Sequence, residues 1–308
     1  MSIVKSFSVG NGDMFYIKHN SNNFTIIDCS LSLFNRVRII EELRRQSQGV
    51  DIITRFVSTH PDDDHICGFV YLDDQMNLVN FYCVENACAK DPRTQDFDRY
   101  CALRDSEKSF KMQRGIRRKW LNLGDEQRGN SGINILWPTI DDADYQIELF
   151  GASLGLSPNN ISTVITYTLE NGATVMWMGD LETVFMEMIA DRIDWPKVDI
   201  LFAPHHGRES GRIPAAILEK LSPKLVVIGE APAEHLCYYP DCDTITQNSA
   251  GDITFECVEG WVHVYASNPT YKSTCLQNLW LPNTQHGRYV GSITVHAVAS
   301  VSVAPISV

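Results

Sequence analysis

Ser58-Thr59-His60-Pro61-Asp62-Asp63-Asp64-His65 sets two imidazoles and three carboxylates within six residues, directly after the apolar run at 52–57. In a solvated loop, three successive carboxylates repel one another and tend to be separated or paired. A bound cation removes that repulsion. Imidazole nitrogen and carboxylate oxygen suit zinc, manganese or ferrous iron. The stretch therefore predicts a β-strand delivering a metal-binding loop.

Two further stretches repeat the arrangement. The apolar run at 173–178 leads into Gly179-Asp180-Leu181-Glu182, and the run at 198–202 leads into Ala203-Pro204-His205-His206-Gly207. Taken alone, Asp180 reads as a helix N-cap and His205-His206-Gly207 equally as a structural turn. Taken together, the three loops point to one place, because the ends of neighbouring strands lie side by side in a layered α/β fold. His60 and Asp62 are two apart and share one side of an extended backbone. Asp64 and His65 can turn to a second centre, and Asp180 can bridge two cations. That is the requirement of a two-metal hydrolytic site with hydroxide held between the metals.

The bulk composition is compatible with this. The 308 residues can bury a full core. The formal net charge of −12 disfavours a non-specific grip on long nucleic acid. The nine cysteines are odd in number and form no Cys-x-x-Cys pair, which predicts reduced thiols in a cytoplasmic protein. Cys237 and Cys242 are a loose alternative thiolate pair. No signal region and no membrane-length apolar run is visible.

Strand patterns cover residues 2–9, 14–18, 24–27, 51–57, 81–84, 133–138, 161–169, 173–178, 198–202, 225–228, 253–258, 261–266 and 291–298. Helical periods cover 33–45, 67–72, 183–193 and 215–221. Residues 139–157 and 229–250 read as loops. No linker divides the chain, so residues 1–308 read as one domain, with a basic helical insertion at about 86–122 and a C-terminal extension at about 267–308. Within the insertion Lys108, Lys111, Arg114, Arg117, Arg118 and Lys119 recur mostly three apart, which gathers them on one helical face. Such a face is either solvated or the phosphate-facing wall of a cleft, with Arg114, Arg117 and Arg118 as its substrate contacts.

His60-Pro61-Asp62-Asp63-Asp64-His65 resembles the His-x-[His/Asp]-x-Asp-His signature of the metallo-β-lactamase-fold hydrolases. The His-Pro-Asp form is similar to that of the ComEC-type branch, the nuclease-like domain of DNA-uptake channel proteins and its stand-alone relatives. Val9-Gly10-Asn11-Gly12-Asp13, Ile27-Asp28-Cys29, Leu136-Trp137-Pro138, Asn159-Asn160-x-Ser162, Met178-Gly179-Asp180-Leu181-Glu182 and Pro204-His205-His206-Gly207 follow that branch in order, over about residues 3–266. The resemblance implies an α/β fold, the four-layer αββα sandwich. It implies two divalent metal ions, zinc first and manganese second. His60 and Asp62 would hold one ion, Asp64, His65 and His205 the other, with Asp180 bridging. Asp64, Asp180 and His206 would be the catalytic groups, His206 as proton donor or as an alternative ligand. Asp28 would orient the ligand loop.

Two departures stand out. No histidine lies between His65 and His205, where many superfamily members have a metal ligand. Tyr238-Tyr239-Pro240 replaces the branch's later Gly-His-Pro, with His235 as a possible substitute. Gly291–Val295 and Gly251–Phe255 compete for the family's final strand, and in the former case His286 and Arg288 would approach the site. The expected activity is metal-dependent hydrolysis of a phosphodiester in a nucleotide or single-stranded oligonucleotide. The rival readings are hydrolysis of a lactone, thioester or amide, and a metal-binding regulatory module.

Overall fold

The computed structural model describes residues 1–48 and 54–296. The first residues of the strand expected at 51–57 and the end of the tail lie outside the described residues. Among the described residues sixteen strands and eight α-helices follow in chain order. They are β1 (Ser2–Ser6), β2 (Phe15–Lys18), β3 (Phe24–Ile27), β4 (Cys29–Ser30), α1 (Arg36–Ser47), β5 (Thr54–Val57), α2 (Asp63–Ile66), α3 (Phe69–Met76), β6 (Asn80–Cys83), α4 (Gln95–Arg104) and β7 (Ser109–Lys111). Next come β8 (Ile133–Trp137), α5 (Ala143–Ser153), β9 (Val164–Thr168), β10 (Thr174–Trp177), α6 (Thr183–Ile189), β11 (Ile200–Phe202), α7 (Ala215–Leu221), β12 (Leu225–Ile228), β13 (Thr244–Thr246), α8 (Gln247–Ala250), β14 (Ile253–Val258), β15 (Trp261–Ala266) and β16 (Arg288–Thr294).

Among the described residues they form two sheets, in the orders β16-β15-β14-β1-β2-β3-β5-β6-β7 and β13-β12-β11-β10-β9-β8. Alternation along the strands explains the layers. Val4, Phe15, Ile17 and Val57 of the first sheet meet Val175, Trp177, Ile200, Phe202 and Val227 of the second. Their neighbours Tyr16, Ile26, Phe56, Met176, Leu201 and Val226 face outward instead. They join a core with Ile39 and Leu43 of α1, Phe69 of α3, Phe185 of α6 and Ile217 of α7. The result is the expected four-layer αββα sandwich.

Parallel pairing positions the site. In the first sheet β3, β5, β6 and β7 are parallel, and in the second β10, β11, β12 and β13 are. A parallel pair needs a crossover, usually a helix, so the outgoing ends of β3, β5, β10 and β11 all open at one edge. Those ends carry Asp28, the His60 loop, Asp180 and the His205 loop.

Three expectations are corrected and one open alternative is decided. Residues 86–122 are not a continuous basic helix: they hold α4, the edge strand β7 paired to β6, and irregular chain. Residues 139–157 contain α5, whose Asp142 cap accepts from the Asp144 and Tyr145 amides. Its exposed Ile147, Phe150 and Leu154 hid the helical period. Residues 229–250 contain β13 and α8, both too short for a readable pattern. The strand beside β1 is β14, and β16 lies outermost, so His286 packs by Tyr265 and Arg288 donates to the Pro269 carbonyl, away from the site loops. No helix among the described residues is long and apolar enough to cross a membrane.

The sheets are joined by Phe202, whose ring centroid lies 4.7 Å from Phe15, 5.2 Å from Trp177 and 6.0 Å from Phe255. Phe202→Ala is expected to lower unfolding free energy by about 3–5 kcal/mol, read from urea denaturation. A loss below about 1 kcal/mol would contradict this packing role.

Candidate metal centre

Asp180 stands at the middle of the site. It follows β10 through Gly179, which takes a left-handed φ of +52°. A Cβ there would come within 2.6 Å of Ser162 Oγ and 3.0 Å of Thr59 Cβ, so only glycine fits. Ser162 Oγ accepts from the Asp180 amide at 3.0 Å and fixes the turn. Asp180 itself is buried.

Four imidazoles present Nε2 to this one carboxylate. The distances to Asp180 Oδ2 are 4.0 Å from His60, 3.8 Å from His205 and 3.5 Å from His206. His65 Nε2 lies 3.0 Å from Asp180 Oδ1. Asp64 closes the other side, with Oδ2 3.3 Å from His206 Nε2 and Oδ1 3.8 Å from His65 Nε2. Asp13, His65, Asp180 and His206 each bring one donor atom within 4.8 Å of the others.

Each imidazole is held from behind. His65 Nδ1 donates to Asp28 Oδ2 at 2.9 Å, and Asp28 also accepts from Thr59 N at 2.7 Å and Thr59 Oγ1 at 2.6 Å. His206 Nδ1 meets Asp13 Oδ1 at 3.2 Å, His60 Nδ1 meets Thr59 Oγ1 at 3.1 Å, and His205 Nδ1 meets Ser210 Oγ at 2.9 Å. With Nδ1 engaged, Nε2 is the atom left to face the centre, which is how histidine ligands are oriented. His205 and His206 both have left-handed φ, 51° and 57°. For residues with a Cβ such backbone is strained and found mostly where function needs it. Here it turns two adjacent side chains towards one carboxylate.

The unpaired atoms test whether a metal fits. His60 Nε2, His65 Nε2 and Asp180 Oδ1 are buried without a hydrogen-bond partner, although the last two are 3.0 Å apart. Buried polar atoms are rarely left so. Two donors on one zinc ion, each at about 2.1 Å, are at most about 4 Å apart, and the Nε2 distances to Asp180 satisfy that. The donor set is nitrogen and oxygen. Among the described residues the group that could hold a metal contains no cysteine. The nine cysteines are free.

The charges are strongly coupled. Burial, reinforced by the His65 charge, pushes the His60 imidazole down to about 3. Burial also opposes an imidazolium at His206, but Asp13 and Asp180 outweigh it and hold that ring up to about 10. For His65, Asp180 and Asp28 likewise overcome burial and raise it. Burial would lift the Asp64 carboxyl, yet the His206 hydrogen bond and the His65 charge bring it to about 2.

Several expected residues fall elsewhere. Asp62 caps α2, its side chain accepting from the Asp63 amide and from Lys90 Nζ at 2.9 Å; Lys90 also reaches Asp63 at 2.7 Å. The carboxylate repulsion is thus relieved in part by an ammonium that sequence reading passed over. Arg114 pairs with Asp194 at 2.6 Å and donates to the Arg192 carbonyl. Arg118 stacks 4.1 Å from the Phe110 ring centre, and Arg117 is exposed. The three do not form a wall at the site. His235 meets Tyr238 Oη at 3.3 Å and does not join the cluster. Asp13 enters the sequence reading only as the end of the Val9–Asp13 stretch, with no role; Gly12 lets it in, since a Cβ there would meet the Asp64 carbonyl at 2.5 Å.

No protein family and no curated protein sequence matches the chain. Solved structures do. One is CmlA, a diiron β-hydroxylase from Streptomyces venezuelae, at 14% identity and a TM-score of 0.41, covering 76% of this chain. This chain spans 45% of that protein's length. Another is a candidate Zn-dependent hydrolase of the metallo-β-lactamase superfamily from Thermotoga maritima, at 12% identity and a TM-score of 0.34, covering 76% of this chain and 78% of that one.

The shifted histidines give a pH signature for the metal-free protein. His60 drops to about 3 from an ordinary 6.5, so its contribution is full above pH 6.5 and lost as pH falls towards 3. His206 rises to about 10, so its contribution is full below pH 6.5 and lost as pH climbs towards 10. The urea midpoint of chelated protein is expected to peak near pH 6.5, and His60→Gln to flatten the acid side. An unchanged acid limb in that variant would contradict the assignment.

Proposed function

We propose that this protein is a metal-dependent hydrolase acting on a small phosphodiester such as a nucleotide. The observation that carries the reading is the convergence of four imidazole Nε2 atoms on Asp180, with the facing atoms of His60 and His65 left without a hydrogen-bond partner. Asp64, His65, Asp180 and His206 would hold one divalent ion, and His60 stands ready for a second. Zinc suits the nitrogen and oxygen donors best, with manganese next. A divalent ion bound here supplies Lewis acidity, which acidifies water and offsets charge developing on a substrate oxygen.

The protein's own groups do the rest. Asp28 and Asp13 accept hydrogen bonds from Nδ1–H of His65 and His206, so both rings keep Nε2 for the centre. His206 is buried between three carboxylates, which supports a ligand role over that of proton donor. Beside the loop a cleft of about 330 Å3 is lined by Asp62, Asp63, Lys90, Leu156 and Pro158, a size for a small ligand. Arg208, half-buried and bonded to Asn11, is the cation adjoining His205. It is our candidate for the substrate's phosphate.

The net charge of −12 and the engagement of Arg114 and Arg118 elsewhere support a small substrate over a long strand. The same engagement favours a second reading, hydrolysis of a lactone, thioester or amide.

Bis(p-nitrophenyl) phosphate turnover with added zinc or manganese is the direct test. Asp180→Ala should reduce it to background, Arg208→Ala should raise KM, and Arg117→Glu should leave it unchanged. Full activity in Asp180→Ala would remove the metal-centre reading. Turnover of a lactone or thioester panel with none of the phosphodiester would select the second reading.

A further inference from the structure

Residues 86–122 form no phosphate wall at the site, yet their first part grips the His60–His65 loop at two places. We infer that Lys90 and Asp96 clamp this loop in its ligand-presenting form before any ion binds, Lys90 acting as a resident cation between Asp62 and Asp63. What the loop is for rests on the metal-centre reading above; that it is set beforehand does not.

The first grip is electrostatic. Lys90 Nζ lies 2.9 Å from Asp62 Oδ1 and 2.7 Å from Asp63 Oδ1. These carboxylates are successive and Asp64 follows them, so like charges crowd wherever no cation intervenes. Exposed ion pairs usually contribute little. Here the Lys90 side chain is only 13% exposed and one ammonium serves two anions. Removing one partner of such a set leaves the others uncompensated. Lys90 is itself held in place: Nζ lies 5.5 Å from the ring centre of the buried Phe97, and the adjoining Ala89 amide donates to the Ala152 carbonyl at 3.0 Å.

The second grip is a pair of hydrogen bonds. Asp96, in the first turn of α4, accepts from the Gly68 and Val70 amides, each at 2.8 Å. Gly68 caps α3 and Val70 lies in its first turn, where amides have no partner within the helix. Asp64 and His65 stand between the two grips, on α2. That helix has four residues, too few to hold itself. One neighbouring segment therefore fixes the ligand loop at both ends.

Hydrogen exchange of the chelated protein, read by mass spectrometry over residues 58–70, tests this without metal or substrate. The His65, Gly68 and Val70 amides should be protected already, and added zinc should slow them by less than about threefold. Lys90→Met should speed exchange at His65 by about tenfold or more, and Lys90→Arg should not. Adding Asp63→Asn to Lys90→Met should recover most of the protection, because one of the facing charges is gone. Asp96→Ala should speed exchange at Gly68 and Val70. Lys90→Gln is the second variant should Lys90→Met lose its thermal transition. Unchanged exchange in the Lys90 variants, no recovery with Asp63→Asn, or a wild-type loop protected only with zinc would overturn the inference. Wild type that takes up no zinc by elemental analysis would instead remove the metal reading, and the chelated variants would still decide the clamp.

Discussion

A carboxylate inside a protein needs charge or donors around it. Asp180 has four imidazole nitrogens around it, yet its Oδ1 is left without a hydrogen-bond partner. Much of the surrounding architecture can be read as a response to that demand. Gly179 makes the turn, Ser162 pins the amide, and Thr59 and Asp28 hold the facing loop. The two sheets bring the loops together, because parallel strands in both layers open at the same edge.

Much of the fold was legible. Alternation marked the strands: β9 and β10 lie within the runs at 161–169 and 173–178, and β14 and β15 coincide with those at 253–258 and 261–266. Elements were missed where local signals are weak. Apolar residues on the solvent side of α5 blurred its period, and β13 spans Thr244–Thr246 alone. The basic run misled for a related reason. Spacing of three describes a helical face only if a helix exists, and there the chain forms an edge strand followed by irregular segments.

In the site, residues carrying strong chemistry in a short span were readable: His60, Asp64, His65, Asp180 and the His205-His206 pair converge. Their supports were not. Asp13 and Lys90 lie far from their partners in sequence, and only the folded chain brings Asp13 to His206 and Lys90 to Asp62. The motif alone also could not divide His205 from His206, which differ in burial and in the oxygen behind each ring.

We propose that the atoms around Asp180 form a metal centre. Crystals of zinc-loaded protein, measured on both sides of the zinc absorption edge, test it most directly. Anomalous density is expected within bonding distance of Asp180, flanked by imidazole Nε2 atoms. Anomalous density absent from that position, with the zinc found only at surface side chains, would contradict it.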